Sequence, residues 1–289
     1  MDRPLNPLAL EGLPEALREH PGAPVLVGVL EAAQRAGAVL MEQLEALDPS
    51  TIRSKSAERD LVTAADVASE RVLVEALRRL CPDEAIEAEE EVQDARDDRP
   101  RWFVDPLDGT INFVHGLPAF CVSLGRFEGG RPSLAVVLAP RLGEVYCALR
   151  GAGTWLLDPR GAASGSWRRL SVRRSERIGE AILATGFPYR RNELANPNLE
   201  NFCRVFPEVR GLRRFGSAAL DLAWVAAGRL DAFWELHLSP HDVAGGALLV
   251  EEAGGRVTDL HGGQDWLRGG SILAAPPALH GDLLGRLEA

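Results

Sequence analysis

The segment Trp102-Phe103-Val104-Asp105-Pro106-Leu107-Asp108-Gly109-Thr110 constrains this chain more than any other stretch. Its first three residues read as the end of a buried strand, after which the chain turns through Pro and Gly. On that turn it presents two carboxylates, Asp105 and Asp108, followed by a hydroxyl. Carboxylates so close together at a buried strand end repel one another unless a cation lies between them. Oxygen ligands of this kind suit a hard divalent ion, magnesium in particular, which binds through few carboxylates and keeps its waters. An acidic Pro-Gly turn after a strand is the plainer reading of the same residues. Both stay open on this segment alone.

At 289 residues and 31.3 kDa the chain has room for one large domain or two small ones. An apolar fraction of 46% is that of a globular protein and excludes disorder as the main theme. The formal charge of −10 argues against general nucleic-acid binding, which needs a basic surface. Small anionic substrates remain compatible with it, because a bound metal reverses the local field. Cys81, Cys121, Cys147 and Cys203 form no Cys-x-x-Cys pair, so neither a zinc site nor a disulfide framework is indicated. That usage fits a reducing cytoplasm. No apolar run reads as long enough to span a bilayer, and no basic-then-apolar leader is visible. Among the 32 basic residues Lys55 is the only lysine. Chance survival and a position that needs a compact ammonium are both open readings of it.

The Pro-rich stretch from Met1 to Pro24 reads as a loose N-terminal extension. Helical spacing then runs over 25–47, and Thr63 with Asp66 resembles a capping arrangement ahead of a second helix reaching Leu80. The acidic run Glu87-Ala88-Glu89-Glu90-Glu91 reads by itself as a solvated face, followed by a polar loop to Arg101. Strands are expected over 120–127, 134–139, 144–149, 154–157 and 168–172, separated by Gly and Pro turns. Beyond that, strands near 182–185, 212–215 and 232–236 alternate with helices near 194–206, 217–227 and 240–253. An α+β half (about 25–170) thus precedes an α/β half (about 171–289), with Gly161 to Gly165 at the soft boundary.

Several chemistries are set aside by what the chain lacks. It has no Gly-x-Ser-x-Gly elbow and no P-loop. Its histidines, His115, His237 and His241 included, make no metal-binding pair on a helix face and read as surface or packing residues. The remaining candidates are acidic. Asp242 stands at the start of the helix expected after Pro240, where the positive helix end favours a carboxylate.

These segments together resemble the inositol monophosphatase family. The central family motif, Asp-Pro-(Ile/Leu)-Asp-Gly-Thr-x-Asn-Phe, stands complete at Asp105 to Phe113. The C-terminal Trp-Asp-x-Ala-Gly-Gly appears as His241-Asp242-Val243-Ala244-Gly245-Gly246, and the family's Gly-Glu-Glu as Ala88-Glu89-Glu90. The upstream Asp-Leu-Val-Thr-x-x-Asp is intact at Asp60 to Asp66, preceded by Lys55-Ser56. Gly186-Phe187-Pro188-Tyr189 and Gly216-Ser217-Ala218-Ala219 follow in order. His241 for tryptophan, Ala88 for glycine and the additional Glu91 depart from the pattern, and none of them removes a carboxylate.

The resemblance covers the chain from about Val25 onward and implies a single catalytic domain there, a layered α-β-α-β-α sandwich of the kind shared with fructose-1,6-bisphosphatase. It implies a Mg²⁺-dependent, lithium-sensitive phosphomonoesterase acting on inositol monophosphate or a similar small ester, with two to three ions per site and Mn²⁺ as a substitute. Glu89, Asp105 and the Leu107 carbonyl would hold one ion, and Asp105, Asp108 and Asp242 a second. Asp66, Glu89 and Thr110 would serve catalysis, and Lys55 would balance charge nearby. The Gly109 and Thr110 amides would grip the phosphate, with Asp108, Asp242, Ala218 and Glu235 also facing the substrate. The family's habits imply a cytoplasmic homodimer without membrane attachment. Histidinol phosphate, fructose 1,6-bisphosphate and 3′-phosphoadenosine 5′-phosphate are the alternative substrates. A regulatory protein that binds the transcription machinery is the alternative of a different class.

Overall fold

The computed structural model describes residues 12–47, 53–54, 61–158 and 166–288. Residues 1–11, Lys55, Ser56, Asp60 and Gly161 to Gly165 lie outside the described residues. The first half opens with α1 (Glu15–Arg18) and α2 (Ala23–Glu45), then β1 (Arg53–Ser54), β2 (Leu61–Val62) and α3 (Ala64–Leu80). β3 (Ala85–Ala88), β4 (Arg101–Asp108) and α4 (Thr110–Val114) follow. β5 (Cys121–Glu128), β6 (Arg131–Ala139), β7 (Glu144–Leu149), β8 (Gly153–Asp158) and β9 (Ser166–Arg169) complete a sheet of order β3-β4-β5-β6-β7-β8-β9. It is antiparallel except for the β3–β4 pair.

The second half contains β10 (Ile182–Thr185), α5 (Leu199–Val205), β11 (Gly211–Arg213), α6 (Ala218–Ala226) and β12 (Ala232–Leu236). α7 (Pro240–Glu252), β13 (Arg256–Thr258), β14 (Ser271–Ala275) and α8 (Pro277–Leu284) close the chain. Its sheet has the order β11-β10-β12-β14-β13, with the first three strands parallel and β14 antiparallel to both neighbours.

Strand alternation explains how the layers stack. Leu134, Val136 and Leu138 of β6 join α2 and α3 in one core, while Ala135, Val137 and Ala139 join α6 and α7 in another. β12 divides the same way: Phe233 faces α6 and α7, and Trp234 packs with Leu279 and Leu283 of α8. The result is the expected α-β-α-β-α sandwich, with α6 and α7 as its middle layer.

Four expectations need correction. The N-terminal extension is not loose throughout, because Leu13 and Leu17 are buried in the core under α2. α2 is, by length and composition, apolar enough to cross a membrane, contrary to the reading that no such run exists. Its apolar residues Leu26, Val29, Leu30, Ala33 and Leu40 are instead buried against the first sheet and α3, while Glu31, Arg35 and Glu42 face out. The acidic run is a solvated face only at its end: Glu91 is exposed, whereas Glu87 and Ala88 belong to the buried strand β3, with Glu87 paired to Arg268 at 2.7 Å. The helix expected over 194–206 begins only at Leu199, since Pro197 biases the residue before it away from helical backbone.

Candidate active site

β4 runs straight into the site. Trp102 and Val104 point to the α2–α3 core, and Phe103 and Asp105 point to the opposite face. Between Asp105 and Asp108 the pairing with β5 slips, so a bulge turns both carboxylates toward the middle layer. The turn closes on Gly109, whose φ of 94° is the left-handed conformation. A Cβ there would lie 2.9 Å from the Ala119 carbonyl oxygen, so glycine is required for space as well.

The carboxylates come from both halves of the molecule. Ligand oxygens of Asp105, Asp108 and Asp242 lie within 4.8 Å of one another. Asp105 accepts the Leu107 amide at 2.9 Å. Asp108 Oδ2 accepts Ser217 Oγ and the Ala219 amide, each at 2.7 Å, where α6 begins. Asp242 accepts the Ser239 amide at 2.6 Å, as a residue in the first turn of α7 does, so its helix-start role and its place in the cluster coexist. Glu89 stands outside the tightest trio but lines the same cavity as Asp108 and Asp242.

Crowding shows in the acidities. Burial, then Glu89, Asp108 and Asp242, push the Asp105 carboxyl well above the ordinary carboxylate range. Burial and Asp242 push Asp108 up to about 7, against the opposing pull of Ser217 and the Ala219 amide. Three acids in one place are therefore held at a cost that a divalent cation would remove.

On the other side of the bulge, Asp66 receives the Thr63 amide at 2.8 Å and the Thr63 hydroxyl at 2.7 Å. This is the capping box legible in the sequence. The second Asp66 oxygen lies 3.1 Å from Thr110 Oγ1, which is also 3.1 Å from the Leu107 carbonyl oxygen. One hydroxyl proton cannot satisfy both acceptors at full strength, so Thr110 keeps these two oxygens in register with its own.

The cavity at the seam measures about 310 Å³. Besides the acids it is lined by Ala218, Glu235, Tyr189, Arg214, His237 and His241. Glu235 shares the face of β12 that carries Phe233, and burial lifts its carboxyl to about 8 despite Arg214. Two histidines read as surface or packing residues, His237 and His241, thus line the site; His241 Nε2 is 3.9 Å from Asp242. Ser69, Glu70, Ser217 and Arg214 were not singled out by sequence reasoning. Only Ser217 carried a usable signal, as part of the Gly-Ser-Ala-Ala motif.

A model of the inositol monophosphatase family matches residues 23–289. The chain belongs to that family. Among curated members, Nus factor SuhB of Pseudomonas aeruginosa is 43% identical, over 87% of this chain and 91% of its own length. Inositol-1-monophosphatase of Caulobacter vibrioides is 38% identical, over 90% of this chain and all of its own. Among solved members, the extragenic suppressor protein suhB of Bartonella henselae superposes with a TM-score of 0.82 at 36% identity, covering 92% of this chain and 98% of that one. The inositol monophosphatase of Anabaena gives a TM-score of 0.79 at 38% identity, covering 91% and 94%. Family membership supports a phosphatase and agrees with the five-layer architecture.

Proposed function

We propose that this chain is a magnesium-dependent phosphomonoesterase for inositol monophosphate or a similarly small phosphomonoester. The observation that carries the reading is the meeting of Asp105, Asp108 and Asp242 within 4.8 Å, with Asp108 and Asp242 lining a cavity. The donor set fits magnesium, being made of oxygens with no imidazole or thiolate in the trio, and manganese is the expected substitute. Glu89, Asp105 and the Leu107 carbonyl are assigned to one ion, Asp105, Asp108 and Asp242 to a second, and Glu89 with water to a weaker third. Magnesium held there supplies positive charge to the phosphoryl and leaving oxygens and acidifies a water.

The protein's own groups then have distinct tasks. Asp66 and Thr110 present neighbouring oxygens that orient the attacking water, with Asp66 as the acceptor of its proton. The amides of Gly109 and Thr110 are assigned to the phosphate oxygens. Ala218 and Glu235 are assigned to the alcohol, where a carboxyl lifted to about 8 can donate a hydrogen bond to a hydroxyl as well as accept one. Purified protein should release phosphate from inositol 1-phosphate in Mg²⁺ and lose that activity when stripped of metal in excess chelator. Full activity in the chelator would remove the metal from the mechanism.

A second reading is favoured by the relatives named Nus factor SuhB: a role bound to the transcription machinery. A variant without turnover distinguishes the two, because a binding role survives it. A homodimer is part of the proposal, supported by exposed Leu199 and Phe206 and by the stacked Phe202–Phe206 rings. Sedimentation at a monomer's mass would remove it. Four free thiols support a cytoplasmic location; a disulfide in protein isolated with its thiols blocked would count against it.

A further inference from the structure

The inner face of α3 holds three polar residues at helical spacing, Asp66, Ser69 and Glu70, all buried. Each fastens a different segment of the site. Asp66 takes the Thr110 hydroxyl, and Ser69 donates to the Pro106 carbonyl at 2.8 Å, on the bulge between the two central carboxylates. Glu70 fastens the third segment, which carries Glu89. Its Oε2 accepts the Glu90 amide at 2.7 Å, and its Oε1 accepts the Glu91 amide at 2.8 Å and the Val92 amide at 3.1 Å.

The residues around those amides form a tight reversal. The Ala88 amide donates to the Val92 carbonyl at 2.7 Å, and the Glu89 amide donates to the Val104 carbonyl of β4 at 3.1 Å. Glu89 is therefore pinned to β4 on one side, and the three residues after it are wrapped around one carboxylate on the other. Glu70 is 1% exposed, and a charge taken that far out of water persists only when its oxygens are filled with donors. Three consecutive amides fill them. Neither oxygen tolerates replacement by an N–H donor, because each already faces amide hydrogens.

We infer that Glu70 is a positioning residue for metal binding: its carboxylate gathers the amides of residues 90–92 and thereby fixes the reach of the Glu89 side chain toward Asp105. The inference rests on the proposed assignment of Glu89 to a metal ion. It makes α3 the organiser of the acidic site although Glu70 touches neither ion nor substrate. Groups that orient metal ligands in this way commonly change metal affinity by about 10–100-fold when replaced.

The test uses the full chain, stripped of metal, with Mn²⁺ binding followed by electron paramagnetic resonance and the amide exchange of residues 90–92 followed by mass spectrometry. Glu70→Gln keeps the shape but turns one acceptor into a donor. It should weaken Mn²⁺ binding at least about 10-fold and speed exchange of those amides, while turnover at saturating Mg²⁺ falls much less. Glu70→Asp keeps the charge and the helix but draws the carboxylate back by one methylene. It provides a second folded test and should lie between wild type and Glu70→Gln. Wild-type Mn²⁺ affinity in either folded variant would overturn the inference. A wild-type protein that binds no Mn²⁺ at all would instead remove the metal assignment on which it rests, and the inference with it.

Discussion

Asp108 divides its work between its two oxygens. Oδ2 is occupied by Ser217 Oγ and the Ala219 amide, while Oδ1 has no hydrogen-bond partner among the described residues. Asp105 is the more crowded acid, with Glu89, Asp108 and Asp242 all opposing its charge. Asp105→Asn should therefore act in opposite directions on activity and on stability. Turnover at saturating Mg²⁺ should drop roughly 10³-fold or more, on the order of 4 kcal/mol of barrier, because the carboxylate assigned to both ions is gone. In chelator the variant should melt no lower than the wild type, since one buried repulsive charge has been removed. Near wild-type turnover would end the assignment of Asp105 to two ions. The positions of Asp105, Asp108 and Asp242 were legible because their motifs are short and local. Glu70 was not, because a buried glutamate facing backbone amides looks in sequence like any acid on a helix.

At the scale of elements, the Ala-Gly-Gly after Asp242 is explained by how closely α7 lies on its neighbours. A Cβ on Gly245 would be 2.7 Å from Ser123 Oγ and 3.0 Å from the Leu124 oxygen, and one on Gly246 would be 2.5 Å from Leu222 Cβ. From the other side, a Cβ on Gly125 of β5 would meet the Ala244 carbonyl carbon at 2.6 Å. Backbone cannot yield as a flexible side chain does. Gly125→Ala should cost about 1–3 kcal/mol in urea unfolding and raise the Mg²⁺ requirement, because α7 carries Asp242. Gly281→Ala on α8 is the contrasting case: nothing lies within 4 Å of the added methyl. That substitution should be neutral or stabilise by about 0.5–1 kcal/mol. A Gly125→Ala variant as stable as Gly281→Ala would contradict this packing. Amphipathic elements such as α2 and α3 were readable from periodicity. β3 was hidden by Glu87, whose hydrogen-bonded cation is Arg268, 181 residues away in sequence. The C-terminal β13, β14 and α8 carry weaker local signals, being short, and β14 is buried on both faces.

For the whole molecule, the weakened acidities of Asp105, Asp108 and Glu235 set how stability depends on pH. Each carboxyl binds its proton more tightly in the folded chain than in the unfolded one. Between the ordinary carboxylate range and about 7 to 8, the folded state thus holds more protons, and raising the pH through that window removes stability. Metal-free protein should melt several degrees lower at pH 8 than at pH 5.5 through these groups (roughly 2–4 °C per kcal/mol for a chain of this size). Added Mg²⁺ should abolish much of the difference, and its stabilising effect should grow with pH. Differential scanning fluorimetry with chelator and with Mg²⁺ at several pH values would show it; a chelator curve that rises with pH would contradict the acidities.

The donors that hold Asp108 come from α6, with the Ala219 amide 111 residues downstream of it. On a ribosome adding about 5–20 residues per second, the acidic turn therefore emerges several seconds before the residues that shape it. During that interval the nascent chain has a hydrated pair of acids but no socket. On the proposed assignment, magnesium capture follows the docking of the second half rather than guiding it. Chains arrested before α6 should consequently gain no protease resistance from the ion, and resistance gained by such chains would show that the turn binds metal unaided.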